Sequence, residues 1–184
     1  MDKREEKSLE AIHNAMNKLM SEKSYEDILI SDILNESGIS RSTFYKHFKC
    51  KNDVLRNICH HIFHHVFSPN LKKETGHDFS DASVFDYKHL ITHIFYHIQE
   101  ERELISGILK SDASYVFINE FKDGSSELIN ALVNQKIIYK DNISTEIQIY
   151  TLKESLISLL TFWVKNAFKE EPETLSNIFF SLHQ

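Results

Sequence analysis

Residues that break regular structure are scarce in this chain of 184 residues, which has four glycines and two prolines. Glycine and proline are the usual interrupters of helices and strands, so long uninterrupted helices are expected. Lysine, glutamate, leucine and isoleucine dominate the long segments, in keeping with their helix preference. Convincing β-alternation, internal repeats and low-complexity tracts are also missing, which argues against sheet and repeat architectures. No apolar run reaches the roughly 18 residues of a membrane span, so no membrane partner is expected. The N-terminal MDKREEKSLE lacks the apolar core of a secretory signal, which predicts a cytoplasmic protein. Cys50 and Cys59 form neither a C-x-x-C pair nor a disulfide framework and are expected as reduced thiols. No Gly-rich phosphate loop, nucleophile elbow or metalloprotease motif occurs, so no cofactor and no catalytic site is expected.

What is present is an uneven charge distribution. The formal net charge is −6. Residues 1–56 hold ten Lys/Arg and ten Asp/Glu, a net of zero, so the whole excess of acid lies in residues 57–184. Within the first part, residues 41–56 carry Arg41, Lys46, Lys49, Lys51 and Arg56 against Asp53 alone, a net of +4. A small basic patch on an acidic body suits a protein that meets a polyanion with one surface.

Hydrophobic spacing predicts an all-α chain of about nine helices. The first spans about 3–20, with Leu9, Ile12, Met16, Leu19 and Met20 on one face. After a connector at 24–29, Ser31 is the expected N-cap of a short helix that ends at Gly38. Ser40 caps the next helix, 41–48, whose Phe44 and Phe48 lie one turn apart. A further helix from Lys51 carries Val54, Leu55, Ile58, Ile62 and Val66. Residues 69–81 read as a polar loop. Helices follow at about 82–100, 101–110, 112–138 (with a break possible at Gly124), 145–169 and 172–183. Ser144 is the expected cap of the penultimate helix and Pro172 suits the first turn of the last.

Two short helices joined by a turn at a glycine, the second opening on a serine, form a helix-turn-helix pattern. The spacing Ile33-Leu34 … Ser37-Gly38-Ile39-Ser40 … Thr43-Phe44-Tyr45-Lys46-His47-Phe48 … Lys51 … Val54-Leu55 resembles the signature of the TetR/AcrR family of transcriptional regulators. The resemblance covers about residues 9–56; beyond them only the helical architecture is similar. Leu34 and Ser37 stand where that family usually has alanine, and Cys50 where a capping residue is usual.

The resemblance implies a helix-turn-helix DNA-binding domain over 1–50, with the motif at about 29–48. It also implies a helical effector-binding and dimerisation domain over 51–184. The partners it implies are double-stranded DNA with a palindromic operator, a second copy of the chain, and a small-molecule effector. It assigns phosphate contacts to Tyr45, His47 and Lys51, and base reading to Arg41, Ser42 and Lys46. Thr43 is positioned for a phosphate, and Ser31 and Ser40 complete the expected DNA-facing set. The function implied is that of a ligand-responsive homodimeric repressor.

In the C-terminal part, Leu152, Leu156, Leu159, Leu160 and Trp163 recur along one broad stripe, and Leu175, Ile178 and Phe179 along the last helix. A helix apolar on more than one side is buried on more than one side, which fits either ordinary core or an interface; the resemblance implies that these residues form the dimer interface. Histidines cluster at 60–65, and His89, His93 and His97 repeat every four residues on one helix face. His61, His64, His65, His93, His97, Tyr115, Phe117 and Phe121 are the expected effector-lining residues. An i, i+4 histidine pair can also bind a metal. A metal-dependent hydrolase built on these clusters is therefore the alternative reading, although the residues spell no metal motif and no metal site is expected.

Overall fold

A computed structural model of the protein describes residues 3–66 and 86–183, leaving aside the side chains of residues 3 and 63–65. The loop expected at 69–81 and the start of the helix expected at 82 lie outside the described residues. Among the described residues there are ten helices and no strand: α1 Lys3–Glu22, α2 Ile30–Ser37, α3 Arg41–His47, α4 Lys51–Val66, α5 Tyr87–Glu100, α6 Arg102–Leu109, α7 Ser114–Gly124, α8 Ser126–Asn134, α9 Thr145–Lys165 and α10 Pro172–His183. The tenth helix arises because the stretch expected at 112–138 divides after Gly124. Ser125 is buried at the break, and its hydroxyl donates to Lys122 O at 3.2 Å. No helix here is long and apolar enough to cross a membrane.

The chain forms two compact units. The first comprises Met1–Cys59 and Glu101–Asn119. Its core joins Ile12, Ala15, Met16, Leu19 and Met20 of α1 to Ile33, Phe44, Phe48, Val54 and Leu55. α6 packs on α1 in the same unit. At Gly107 of α6 a Cβ would meet the Met20 methyl, the flexible end of a side chain that can move aside. The Asn17 amide of α1 also donates to Glu101 Oε2 at 2.5 Å.

The second unit comprises His60–Glu100 and Glu120–Gln184. Here α10 packs on α5 and α9. Trp163 is fully buried, edge-on to Phe95 at 5.6 Å and Phe168 at 4.8 Å. Its indole N–H donates to Glu170 O at 2.8 Å. Gln148 clips the turn before α9, accepting from Lys140 N and donating to Lys140 O and Ile143 O.

The end of α9 carries backbone strain. Ala167 and Phe168 are both left-handed, at φ 54° and 55°. Side chains with a Cβ pay roughly 1–2 kcal/mol per residue for that conformation. Ala167 is exposed and its methyl contributes little packing. Ala167→Gly is therefore expected to raise stability by about 0.5–1 kcal/mol, read as a higher urea midpoint at unchanged slope. An unchanged or lower midpoint would show that the strain is not relieved there.

Candidate nucleic-acid interface

Local chemistry builds the helix-turn-helix. α2 begins two residues earlier than expected, at Ile30, so Ser31 lies inside the helix and is not its cap. Leu29 takes the cap position but has no side-chain acceptor. The first-turn carboxylate of Asp32 instead accepts the Leu29 N–H at 2.9 Å. Gly38 ends α2 in the left-handed conformation, φ 67° and ψ 12°, which costs glycine little. Ser40 then caps α3: its Oγ accepts the Thr43 N–H at 3.1 Å and bonds the Ser42 and Thr43 hydroxyls at 2.9 and 2.8 Å. Phe44 is fully buried and Phe48 nearly so, their rings 5.5 Å apart. This pair anchors α3 and decides which side of it remains free.

The free side carries Ser40, Arg41, Ser42, Tyr45 and Lys46, all exposed, with Lys49 just beyond. Ser31 is also exposed and Thr43 is half-buried. Among the described residues Arg41, Lys46 and Lys49 enter no ion pair, so three full charges face solvent. The remaining cations of the basic run are engaged. Arg56 pairs with Asp53 at 2.7 Å. Lys51 turns inward and donates to Tyr25 O, Ile28 O and Glu26 O at 2.6, 3.0 and 3.2 Å. Burial lowers its pKa, against the pull of Glu26 and Asp27. His47 is mostly buried, with Nδ1 3.6 Å from Glu5 Oε1 of α1. Cys50, which is no cap, is relieved by Asp53: that carboxylate accepts the N–H groups of Lys49 and Cys50 at 2.8 and 3.2 Å. Neither cysteine is in a disulfide; Cys50 is exposed and Cys59 buried.

Two sequence models match the chain. One, described as "Bacterial regulatory proteins, tetR family", covers residues 12–58. The other, described as "Transcriptional regulator C-terminal region" and belonging to the same family, covers residues 86–184, more than half of the chain. The chain belongs to the TetR family of transcriptional regulators. It is 26% identical over 116 residues to an uncharacterised HTH-type transcriptional regulator of Haemophilus influenzae; the match covers 62% of this chain and 57% of that relative. Its fold is similar to a solved TetR regulator from Streptococcus agalactiae 2603V, with a TM-score of 0.71 at 24% identity over 100% of this chain and 97% of the other. A protein named dihydroxyacetone kinase operon activator DhaS shares the fold at a TM-score of 0.65 and 17% identity, over 95% and 93% of the two chains. Family and fold are those of TetR-type transcription regulators. They lend no support to a metal-dependent hydrolase. Among the described residues, no three His, Cys, Asp or Glu side chains are grouped to hold a metal ion.

In this TetR-family chain the expected effector-lining residues fall in both units. On α5, buried His93 and half-buried His97 meet through their Nε2 atoms at 2.9 Å, and His97 Nδ1 lies 2.9 Å from Glu100 Oε2. With His97 Nδ1–H donating to Glu100, its Nε2 accepts and His93 Nε2–H donates. Phe117 and Phe121 are core residues; Tyr115 is 60% exposed and His61 is exposed. The side chains of His64 and His65 lie outside the described residues.

Of the residues expected at the dimer interface, Leu152, Leu156, Leu160, Trp163, Leu175 and Phe179 are buried within their own chain. Leu159 is half-buried and Ile178 exposed. The apolar side chains that α9 and α10 leave in solvent are Ile147, Tyr150, Phe162, Ile178 and Leu182, at 36–65% exposure. Of these, the interface reading of the sequence named Ile178 alone. Their signal in the sequence is the apolar character of α9 all round.

Proposed function

We propose that this regulator acts as a homodimeric, effector-responsive repressor that reads a palindromic operator with α3. The observation that carries the DNA-reading side is the free face of α3. Arg41, Ser42 and Lys46 are exposed beside the buried Phe44, where a helix entering a major groove needs its base-reading side chains. Tyr45, Thr43 and Lys49 flank them and reach the phosphates, which position the helix without reading sequence. Two such helices in successive major grooves stand about 34 Å apart and require a two-fold partner. The exposed apolar side chains of α9 and α10 supply the surface for that partner, as the last two helices do in the family. A cytoplasmic location fits this role.

The effector side rests on the family and on the His93–His97 pair of α5, whose His93 is buried. A small molecule that weakens operator binding must itself bind less tightly when the operator is present, because the coupling is reciprocal. Repression predicts less transcript from a promoter carrying the operator when the protein is added, and recovery with effector. A rise in transcript would make the chain an activator, as DhaS is named.

The decisive experiment is selection from a random-sequence duplex pool. Wild type is expected to enrich a palindrome, and failure to enrich any sequence would overturn the DNA-binding reading. Arg41→Ala is expected to relax the consensus at the base it contacts, at about 1–3 kcal/mol on the best site. An identical consensus from wild type and Arg41→Ala would remove Arg41 from base reading.

A further inference from the structure

The inward turn of Lys51 separates it from the cations that face solvent. We propose that Lys51 is a positioning residue, which holds the start of α4 to the connector between α1 and α2 and so sets α3 for DNA without touching a phosphate. This rests on the DNA-binding reading above.

Lys51 is the first residue of α4, and its ammonium has three N–H donors. All three acceptors are carbonyls of one short connector, those of Tyr25, Glu26 and Ile28. The ammonium also sits 4.3 Å from the centre of the Tyr25 ring, within cation–π range. That ring is buried, and its hydroxyl donates to Asn52, the next residue of α4. Two successive residues of α4 thus grip the connector from one side.

The connector is also held from elsewhere in the same unit. Lys23 pairs with Asp32 of α2 at 2.5 Å, and Asp32 accepts the Leu29 N–H. Glu26 Oε1 accepts the Asp112 N–H, in the turn between α6 and α7, at 2.8 Å. The connector is therefore the joint through which α2, and with it α3, is referred to α4 and to that turn.

A phosphate offers Lys51 one charged contact. Reaching it requires the ammonium to leave three carbonyls and an aromatic face, and it takes the donor from the part-buried Ile28 O, whereas Tyr25 O keeps the Ile28 N–H and Glu26 O is open to water. Arg41, Lys46 and Lys49 face no such cost, being already exposed. The division of labour follows from the geometry: Arg41 and Lys46 carry their charge into the groove, Lys49 reaches a phosphate, and Lys51 fixes the frame they stand on.

The test uses the full chain and a duplex selected by wild type from a random pool, with affinity measured across a salt series. Each phosphate contact contributes about 0.9 to the slope of log affinity against log salt. Lys51→Met keeps the stem and loses the donors. It is expected to weaken binding about tenfold at every salt concentration, giving a line parallel to wild type. Lys46→Met and Lys49→Met are expected to flatten the line. Lys51→Arg retains the charge, but its planar fork does not converge on three carbonyls, so it too is expected to lose affinity. A slope flattened by about 1.8 per dimer in Lys51→Met, with Lys51→Arg restoring it, would overturn the proposal.

Acylation of lysines in the wild-type protein gives a second readout that needs no variant to fold. Lys51 is expected to react slowly with and without the duplex, and Lys46 and Lys49 to become protected only with it. Fast reaction of Lys51 that the duplex suppresses would also overturn the proposal. If wild type selects no duplex, it is the DNA-binding reading that falls.

Discussion

Phe162→Lys is expected to convert a dimer to a folded monomer and to cut affinity for a palindromic duplex by about 100-fold or more. The loss comes from avidity: two recognition helices on one rigid dimer make the second contact intramolecular, an advantage of about 10²–10⁴. Phe162 is 51% exposed on α9, so its replacement leaves the core of its own chain intact. Its position in the last turn of α9 also matters. A cation near a helix C-terminus is favourable, so the substitution does not weaken α9 itself. Surface changes of this kind usually fall within about 0.5 kcal/mol of neutral. Against a partner surface, however, the lysine brings a charge where an aromatic ring was to be buried, and desolvating a charge is expensive. Sedimentation and a duplex titration read the two effects. An intact dimer with full operator affinity would place the interface elsewhere.

The next residue is expected to behave in the opposite way. Trp163→Ala should leave assembly at low temperature unaltered in kind but lower the melting temperature of the chain by roughly 6–20 °C. Trp163 is fully buried and edge-on to two other aromatic rings, Phe95 and Phe168. Truncating a buried tryptophan costs about 3–5 kcal/mol, because the neighbours collapse only partly into the space. For a chain of this size each kcal/mol moves the midpoint by about 2–4 °C. The indole N–H also satisfies Glu170 O in the strained turn after α9, and the variant leaves that carbonyl without its donor. Thermal unfolding followed by helical circular dichroism checks this. A shift of less than about 3 °C would mean that the aromatic cluster does not hold α9 in place.

Adjacent residues with opposite expected effects show what sequence periodicity carries and what it omits. The all-round apolar character of α9 marks it as buried on more than one side. Spacing groups Leu152, Leu156, Leu160 and Trp163 on one stripe, but the stripe does not say what covers it. Packing against α8 and α10 puts those side chains in the core of their own chain and leaves Ile147, Tyr150 and Phe162 outside. The same holds at the histidines. The i, i+4 spacing of His93 and His97 correctly places them on one face, and their meeting at 2.9 Å follows from it. Which surfaces bury His93 depends on contacts remote in sequence.

The helix-turn-helix was legible because its determinants are local. A left-handed turn at Gly38, a hydroxyl cap at Ser40 and an aromatic pair one turn apart act within a few residues of each other. Each therefore leaves a fixed spacing in the chain, and those spacings by themselves determined the fold class, the family and the exposed face of α3. The fate of individual charges was decided only by the tertiary structure. Arg56 and Lys51 belong to the same basic run as Arg41, Lys46 and Lys49, and nothing in that run distinguishes them. Lys51 is drawn inward by three carbonyls more than twenty residues earlier in the chain, brought to it only when α4 packs beside the α1–α2 connector. A charge's partner is set by proximity in space, whereas composition records only that the charge exists.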